Sequence, residues 1–484
     1  MKRYFRIIAL ILALATLVSV FVGCGTEGGK TNDENSTSSK AEEETEEVHP
    51  EIEKKNWGTE FYFSNMDDVN PADYYWVEKS SNNTMTDAIY NRQETVRKYL
   101  GVEIIGTVTE NEHRYIAPFQ TAVKNKDDSV HLLLSHVYYG IDGFITGNYL
   151  TDFNEVDQID LESDWWNYDF MEEISVNGRM YLGYSDFNII YTHVIAFNKE
   201  LMDKYADQLD ESIYDTVTNY HWTLDKMIWL ASLAYIDTNS DGKTPDDDIF
   251  GITAYQSVPF VGFMHAANIN IVEQDEKGNY TVSCYNQKNK QKMSDLVDKL
   301  YELANSDYAL FTSPEYPSAD LPSGRALMNV SGTFWLPGYL DYDVDFGVLP
   351  FPMYDEMQAN VGYRSLQWGG YLCLPSYLAN PEMVYETVEM MSFFSEPVKI
   401  AFYEKLLGKK VAESPNDRKM LDIVWDSVCS DFGQTYFSVV DTTNILYMLP
   451  SLTKVNRTQN LASYMAERES SANKSLKKFM ANVK

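Results

Sequence analysis

Short apolar strands alternate with amphipathic helices along more than 400 residues after Trp57, and this alternation limits the folds open to the chain. A strand is predicted at His193–Phe197, and a helix is predicted over Thr84–Leu100, with Gly101 in the stop position. Such alternation is typical of an α/β fold, in which helices flank largely parallel sheets. A body of this length exceeds one compact core, so two domains are expected.

The same reasoning places further elements along the chain. Additional strands are predicted at Glu60–Phe63, Val102–Ile105, His131–Leu134 and Met180–Gly183. Helices are predicted from the Thr223 cap to Ala234, over the apolar stripe of Met293–Ala304, from Asn380-Pro381, from Ser414-Pro415 and over the last thirty residues. In open sheets of this kind, ligands bind at the carboxyl ends of the strands.

The first 24 residues have the pattern of an export signal. Three basic residues precede an almost unbroken apolar run from Ile7 to Val22, and Cys24 comes directly after the expected cut. A cysteine there can carry lipid, and the segment resembles a bacterial lipoprotein signal, with Phe21 where Leu is usual. An ordinary secretory signal or a short membrane anchor is the alternative, since the run is at the low edge of spanning length.

A polar, acidic segment follows the signal. Gly25–Pro50 holds hardly any aliphatic residue and includes the cluster Glu42–Glu47. Such a segment cannot bury enough apolar surface to offset its ordering entropy, and its like charges keep it extended. The sequence therefore predicts a signal peptide over 1–23, and a lipidated cysteine with a disordered linker over 24–56.

Charge and cysteine usage exclude several classes of protein. The net charge of −33 argues against binding to nucleic acid or to anionic lipid headgroups, both of which need a basic face. Beyond the signal, Cys284, Cys373 and Cys429 are widely spaced and odd in number, which makes no disulfide framework. We expect them to be buried as small apolar residues.

Residues 237–248 have the spacing of a calcium-binding loop. Gly242 stands where the loop must turn sharply, and Asp248 replaces the usual Glu at the last ligand position. The predicted ligands, at loop positions 1, 3, 5, 7 and 12, are Asp237, Asn239, Asp241, the Lys243 carbonyl and Asp248. A metal-free surface turn is the alternative. The spacing is wrong for a phosphate-binding loop, because Asp237 stands in place of the first Gly.

Signatures of common enzymes are absent from the sequence. It contains no His-Glu-x-x-His and no Gly-x-Ser-x-Gly, and its seven His do not cluster. Carboxylates are plentiful, so inspection leaves open a glycosidase that uses a carboxylate pair.

Several segments, in this order and spacing, together carry a family resemblance. They are Gly178–Tyr181, Val194–Leu201, Tyr220–Asp225, Phe250–Ile252, Ser323–Met328, Gly332–Trp335 and Asp345–Pro352. The chain from Trp57 onward resembles an extracellular carbohydrate-binding lipoprotein of an ABC importer, of the maltose-binding-protein type. The resemblance implies a two-lobed periplasmic-binding-protein fold of type II, with mostly parallel sheets flanked by helices and a ligand cleft between the lobes.

The resemblance also implies lobe boundaries and cleft residues. The N-lobe is expected over 57–151 plus 346–397, and the C-lobe over 152–345 plus 398–484. Trp335 matches the aromatic residue that stacks on a sugar ring. The other cleft residues that it implies, together with Trp368 as a further aromatic candidate, are His136, Tyr138, Tyr139, Asp186 and Tyr191. Flat rings and a few polar groups suit a sugar, which offers apolar C–H faces and rows of hydroxyls.

The sequence therefore predicts a binding protein that performs no chemistry. It is expected to capture a carbohydrate, an oligosaccharide, outside a bacterial membrane and to deliver it to permease subunits. It would be lipid-anchored, monomeric and without a cofactor other than calcium. The alternative is a lipid-anchored glycan-degrading enzyme.

Overall fold

The structure is a computed structural model that describes residues 49–483, except for a set of short segments. The excepted residues are 50, 66–73, 82, 109–115, 138–139, 239, 241–247, 256–257, 276, 312–319, 409–413, 437, 441–444 and 455–457. The predicted signal, Cys24, most of the linker, Tyr138, Tyr139, Asn239, Asp241 and Lys243 lie outside the described residues.

Strands and helices alternate as the sequence predicts. The strands are β1 (Thr59–Asn65), β2 (Val102–Val108), β3 (Leu132–His136), β4 (His193–Asn198), β5 (Phe250–Ala254), β6 (Val272–Gln274), β7 (Tyr280–Val282), β8 (Ala309–Leu310), β9 (Ala326–Gly332), β10 (Phe346–Leu349), β11 (Ser365–Leu366), β12 (Gly369–Cys373) and β13 (Val428–Cys429).

The α-helices occupy the intervals between these strands and the C-terminal region. They are α1 (Thr84–Leu100), α2 (Ile116–Asn125), α3 (Ile141–Thr146), α4 (Tyr168–Glu173), α5 (Lys199–Asp203), α6 (Ile213–Thr218), α7 (Leu224–Leu233), α8 (Val261–Ala266), α9 (Lys290–Ala304), α10 (Pro381–Phe393), α11 (Glu396–Leu407), α12 (Pro415–Asp426), α13 (Phe432–Thr435), α14 (Met448–Leu452) and α15 (Leu461–Asn482). A 3₁₀ segment, Thr333–Asp341, follows β9 directly.

Two larger sheets organise the described body. The first has the strand order β12-β3-β1-β2, with β1 parallel to β2 and β3, and β12 antiparallel to β3. The second has the order β10-β4-β9-β5-β8, in which β5 pairs in parallel and β4 pairs antiparallel on both sides. Both sheets are therefore mixed, and helices flank them. The α/β fold class that the sequence predicts is confirmed.

Local signals set the ends of several helices as expected. The Asn83 side chain accepts hydrogen bonds from the first-turn amides of α1, and Gly101 ends that helix with φ 65°. Thr223 caps α7 through the Lys226 amide, and Asn380 precedes Pro381 at the start of α10. The predicted strand at Met180–Gly183 is wrong, because this segment pairs only through an isolated bridge from Gly183 to Leu372.

The strand β10 bears on the lobe boundaries without testing them. Residues 346–349 pair with β4 in the second sheet, whereas β12, which follows shortly after, pairs with β3 in the first. The chain thus passes from one sheet to the other between residues 349 and 369. The predicted boundaries of the two lobes stay a prediction.

Two further observations concern the described residues only. Cys284, Cys373 and Cys429 are free and buried, as expected, and burial raises the pKa of the Cys429 thiol to about 12. A thiol in this state stays protonated and unreactive at neutral pH. In the part of the chain that the structure covers, every helix is too short or too polar to cross a membrane.

Candidate ligand-binding site

Four ring side chains meet where the two sheets connect, and we call Tyr191, His193, Trp335 and Trp368 the aromatic cluster. Tyr191 lies two residues before β4, and His193, the first residue of β4, is opposite Gly332, the last residue of β9. Trp335 follows in the 3₁₀ segment after β9. Trp368 precedes β12, and its backbone amide donates to the Tyr191 carbonyl at 3.0 Å. Strand ends of both sheets therefore supply the cluster.

The rings of the cluster are in mutual contact. The centroids of Tyr191 and Trp335 are 6.2 Å apart at an interplanar angle of 63°. His193 lies 6.4 Å from Trp335 at 20°, and 5.7 Å from Trp368 at 74°. Trp335 and Tyr191 are half-buried, whereas Trp368 and His193 are buried. The cluster thus combines two buried rings, His193 and Trp368, with two partly accessible aromatic faces, which suits a ligand that has apolar faces.

Gly332 fixes the position of the Trp335 ring. A Cβ atom at Gly332 would lie 2.3 Å from Cζ3 of Trp335, so the indole lies directly across the glycine backbone. The backbone of Gly332 is extended, with φ −130°, so any residue could adopt its conformation. The glycine is required here for the close approach of the ring and not for backbone freedom.

His193 is the one member of the cluster that can titrate near neutral pH. Burial alone lowers its pKa from 6.5 to about 4, because transfer out of water disfavours the charged imidazolium. No charged group contributes to this shift. The imidazole is therefore neutral at pH 5 and above.

This shift predicts an acid sensitivity that belongs to His193. Below pH 6.5 the unfolded chain binds a proton at this residue, whereas the folded chain binds it only near pH 4. The free energy of unfolding should therefore fall as the pH falls between these values, by up to about 3 kcal/mol from this group. Urea unfolding at a series of pH values measures the effect. In His193→Gln the loss over this window should be smaller by that amount, and equal losses in both proteins would contradict the assignment.

Two other predicted cleft residues, His136 and Asp186, lie among the described residues. His136 ends β3, is buried, and pairs in register with Gly369, the neighbour of Trp368. Asp186 is half-buried, and its backbone amide donates to the Trp165 carbonyl at 2.8 Å. The ligand roles of Asp186 and His136 stay predictions.

A buried carboxylate organises a second group of rings away from the cluster. Glu389 of α10 is fully buried and accepts hydrogen bonds from the indole nitrogens of Trp165 at 2.8 Å and Trp166 at 2.7 Å. The ring of His49 lies 3.2 Å from the same carboxylate. These contacts bind the start of the described body and the Trp165-Trp166 turn to α10. The paired tryptophans therefore have a structural role.

Two predicted calcium ligands fall among the described residues. Ile236 and Ile249 pair in an antiparallel bridge, which brings Asp237 and Asp248 together at the base of the loop. The Asp248 side chain is buried, and the hydrogen bonds that it accepts from the described residues are long, 3.3 Å from the Thr238 amide and 3.4 Å from the Tyr235 hydroxyl. Within the described residues, no three metal-ligating side chains form a group. The rest of the predicted ligand set lies outside them.

Comparison with known proteins gives matches at the level of structure alone. No family model and no curated protein matches the chain. The galacto-N-biose/lacto-N-biose I-binding protein of an ABC transporter from Bifidobacterium longum, in complex with lacto-N-biose, is 13% identical with a TM-score of 0.55. The alignment covers 88% of this chain and 98% of that one. The chain shares its two-lobed fold.

Two further solved structures give the same result. An ABC substrate-binding protein from Listeria monocytogenes in complex with cycloalternan is 13% identical, with a TM-score of 0.52 and coverage of 87% of this chain and 99% of that one. The GacH receptor of Streptomyces glaucescens is 16% identical, with a TM-score of 0.50 and coverage of 88% and 98%. The predicted likeness to sugar-binding proteins of ABC importers is thus confirmed for the fold.

His193 and Gly332 are the residues of the site that sequence reasoning missed. The segment His193–Phe197 was predicted as a strand, and nothing in its pattern indicates which end meets an aromatic ring. The pairing of His193 with Gly332 supplies that information, because it sets the imidazole beside the Trp335 ring.

Proposed function

We propose that the protein is the substrate-binding component of an ABC importer and that it captures a neutral or charged carbohydrate, in the size range of an oligosaccharide, outside the membrane. The observation that carries this proposal is the aromatic cluster, in which the half-buried faces of Trp335 and Tyr191 lie where the two sheets connect. Permease subunits are the expected partners. The ligand would lie between the lobes 57–151 plus 346–397 and 152–345 plus 398–484.

Sugar chemistry fits this cluster. The C–H face of a pyranose packs on an indole or phenol ring, and its hydroxyls need a few hydrogen-bonding groups at the rim. The solved structures of similar fold include complexes with lacto-N-biose and with cycloalternan, which supports a saccharide as the ligand class. Capture would favour the state in which the lobes close, because the ligand contacts both of them.

A thermal-shift screen against mono- and oligosaccharides tests this function. At a ligand concentration about 100-fold above the dissociation constant, binding stabilises the folded state by about 2.7 kcal/mol, which raises the melting temperature measurably. We expect at least one oligosaccharide to do so. The alternative, a glycan-cleaving enzyme, would return shortened products from the same incubation, whereas a binding protein returns the sugar unchanged.

We also propose that the protein is anchored to the outer face of the cytoplasmic membrane through Cys24. Replacement Cys24→Ser should release the protein from the membrane fraction or leave it unprocessed, because the lipid attaches through the cysteine sulfur. Cell fractionation measures the first effect, and the intact mass of the mature chain measures the second. An unmodified mature N-terminus in the wild-type protein would contradict this proposal.

A structural calcium ion in the 237–248 loop is a further part of the proposal. The burial of the Asp248 carboxylate beside Asp237 supports it, since a buried carboxylate with weak hydrogen bonds is stabilised by a cation. Chelation should lower the melting temperature, and Asp241→Ala should lower it similarly and abolish the chelator effect. Sugar affinity should change little. If metal analysis finds no calcium in protein purified without chelator, the loop is a metal-free surface turn and the calcium proposal is wrong.

A further inference from the structure

The His193 side chain is held by packing and not by hydrogen bonds. Its ring lies between the Trp335 face and the Trp368 edge, and the Phe351 ring is 5.9 Å away. The residue is 8% exposed. Among the described residues, neither ring nitrogen has a hydrogen-bond partner. The orientation of the imidazole is therefore fixed by three aromatic neighbours.

The two ring nitrogens of His193 differ in their surroundings. Nδ1 is enclosed without a partner among the described residues, and it faces Gly262, where a Cβ atom would lie 3.3 Å away. Nε2 is not enclosed in this way, so it is the nitrogen that a ligand can reach. An enclosed polar atom without a partner is costly, and an apolar ring of similar size would avoid that cost. The imidazole thus needs a further reason to be at this position.

We propose that Nε2 of His193 forms a hydrogen bond with a hydroxyl of a neutral sugar whose ring lies against Trp335. This inference rests on the proposed function and narrows it to uncharged sugars. A hydroxyl both donates and accepts, so it can pair with a neutral imidazole in either tautomer. The His193 and Trp335 rings are nearly parallel, at 20°, with their centroids 6.4 Å apart, so a sugar that lies against Trp335 is close to the imidazole.

Electrostatics favours a neutral ligand over an acidic one. Burial keeps the imidazole uncharged at neutral pH, and no charged group acts on it. A carboxylate or phosphate would leave water for a site in which this ring offers no positive charge, and such a transfer is unfavourable without a cation. A sugar hydroxyl carries no such penalty.

Calorimetric titration of the purified protein with neutral and uronic-acid-containing oligosaccharides tests the proposal. With the best neutral sugar, His193→Phe should weaken binding about tenfold, the effect of one hydrogen bond lost from a desolvated site. The variant His193→Gln, which keeps a donor and an acceptor, should bind several-fold more tightly than His193→Phe. Equal affinity of His193→Phe and wild type would overturn the proposal and leave the proposed function intact. Preference of the wild type for an acidic sugar would overturn it as well.

A measurement on the unchanged protein covers the case in which these variants fail to fold. In protein labelled with ¹⁵N-histidine, the Nε2 resonance of His193 should shift on saturation with the neutral sugar, because a new hydrogen bond forms there. Saturation without a shift would overturn the proposal. If no saccharide binds the wild-type protein at all, the proposed function itself fails, which is a different result from either of these.

Discussion

Replacement of Trp335 by alanine is expected to weaken sugar binding by tens-fold or more and to change the melting temperature little. The side chain is half-buried and lies across Gly332, so it supports little of the core while it offers a broad face to a ligand. A stacking contact contributes on the order of 1 kcal/mol beyond the area that it buries. The buried area adds to this, and 1.4 kcal/mol corresponds to a factor of ten in affinity. Calorimetric titration measures the change.

Trp229 offers a matched control for this variant. Its side chain is exposed, packs against the Lys226 ammonium at 4.4 Å, and makes none of the described ring contacts of the aromatic cluster. Trp229→Ala should therefore bind sugar as the wild type does. If Trp335→Ala instead unfolds the protein while Trp335→Phe binds sugar normally, Trp335 is a core residue and its place in the site is wrong.

Replacement of Glu389 by alanine is expected to reduce the free energy of unfolding by roughly 2–6 kcal/mol. The change removes the acceptor of the indole N–H groups of the half-buried Trp165 and the buried Trp166, at about 1–3 kcal/mol for each, with Trp165 at the lower end. Glu389→Gln should lose less than Glu389→Ala, because its amide oxygen still accepts from one indole while its amide nitrogen, a donor, faces the other. Urea unfolding measures both variants.

Glu382 provides the corresponding control on the same helix. Its carboxylate is largely exposed and lies 3.6 Å from Lys55, a surface ion pair that contributes little. Glu382→Ala should therefore change the free energy of unfolding by less than about 1 kcal/mol. A Glu389→Ala protein as stable as Glu382→Ala would show that the Trp165-Trp166 turn does not depend on the buried carboxylate.

The parts of the fold that could be predicted are those that depend on neighbours in sequence. The helix Thr84–Leu100 is an example, since its Asn83 cap, its apolar spacing and Gly101 all act within a few residues. The start of α10 at Asn380-Pro381 is another. The segment Met180–Gly183 has strand-like residues, yet a strand forms only where a partner lies alongside, and this information is not local.

The candidate site is harder to predict for the same reason. Tyr191, Trp335 and Trp368 are far apart in sequence, and the pairing of strands from two sheets brings them together. The family resemblance indicates Tyr191 and Trp335, and Trp368 is a separate aromatic candidate, but neither source gives a contact between the three residues. The resemblance does not indicate His193. The register of β4 on β9 pairs His193 with Gly332 and so brings it beside Trp335, and this register is not visible in the sequence.

Whether the protein binds a carbohydrate without cleaving it is tested most directly by titration of the purified protein with a panel of oligosaccharides. Tryptophan fluorescence follows the binding, and each sugar is analysed after incubation. We expect one sugar to bind with one-to-one stoichiometry, to change the fluorescence through Trp335 and to be recovered intact. Trp335→Ala should lose both the binding and the fluorescence change. Binding that is unaffected by this substitution would contradict the role of Trp335, and recovery of the sugar as cleaved products would contradict a function in binding alone.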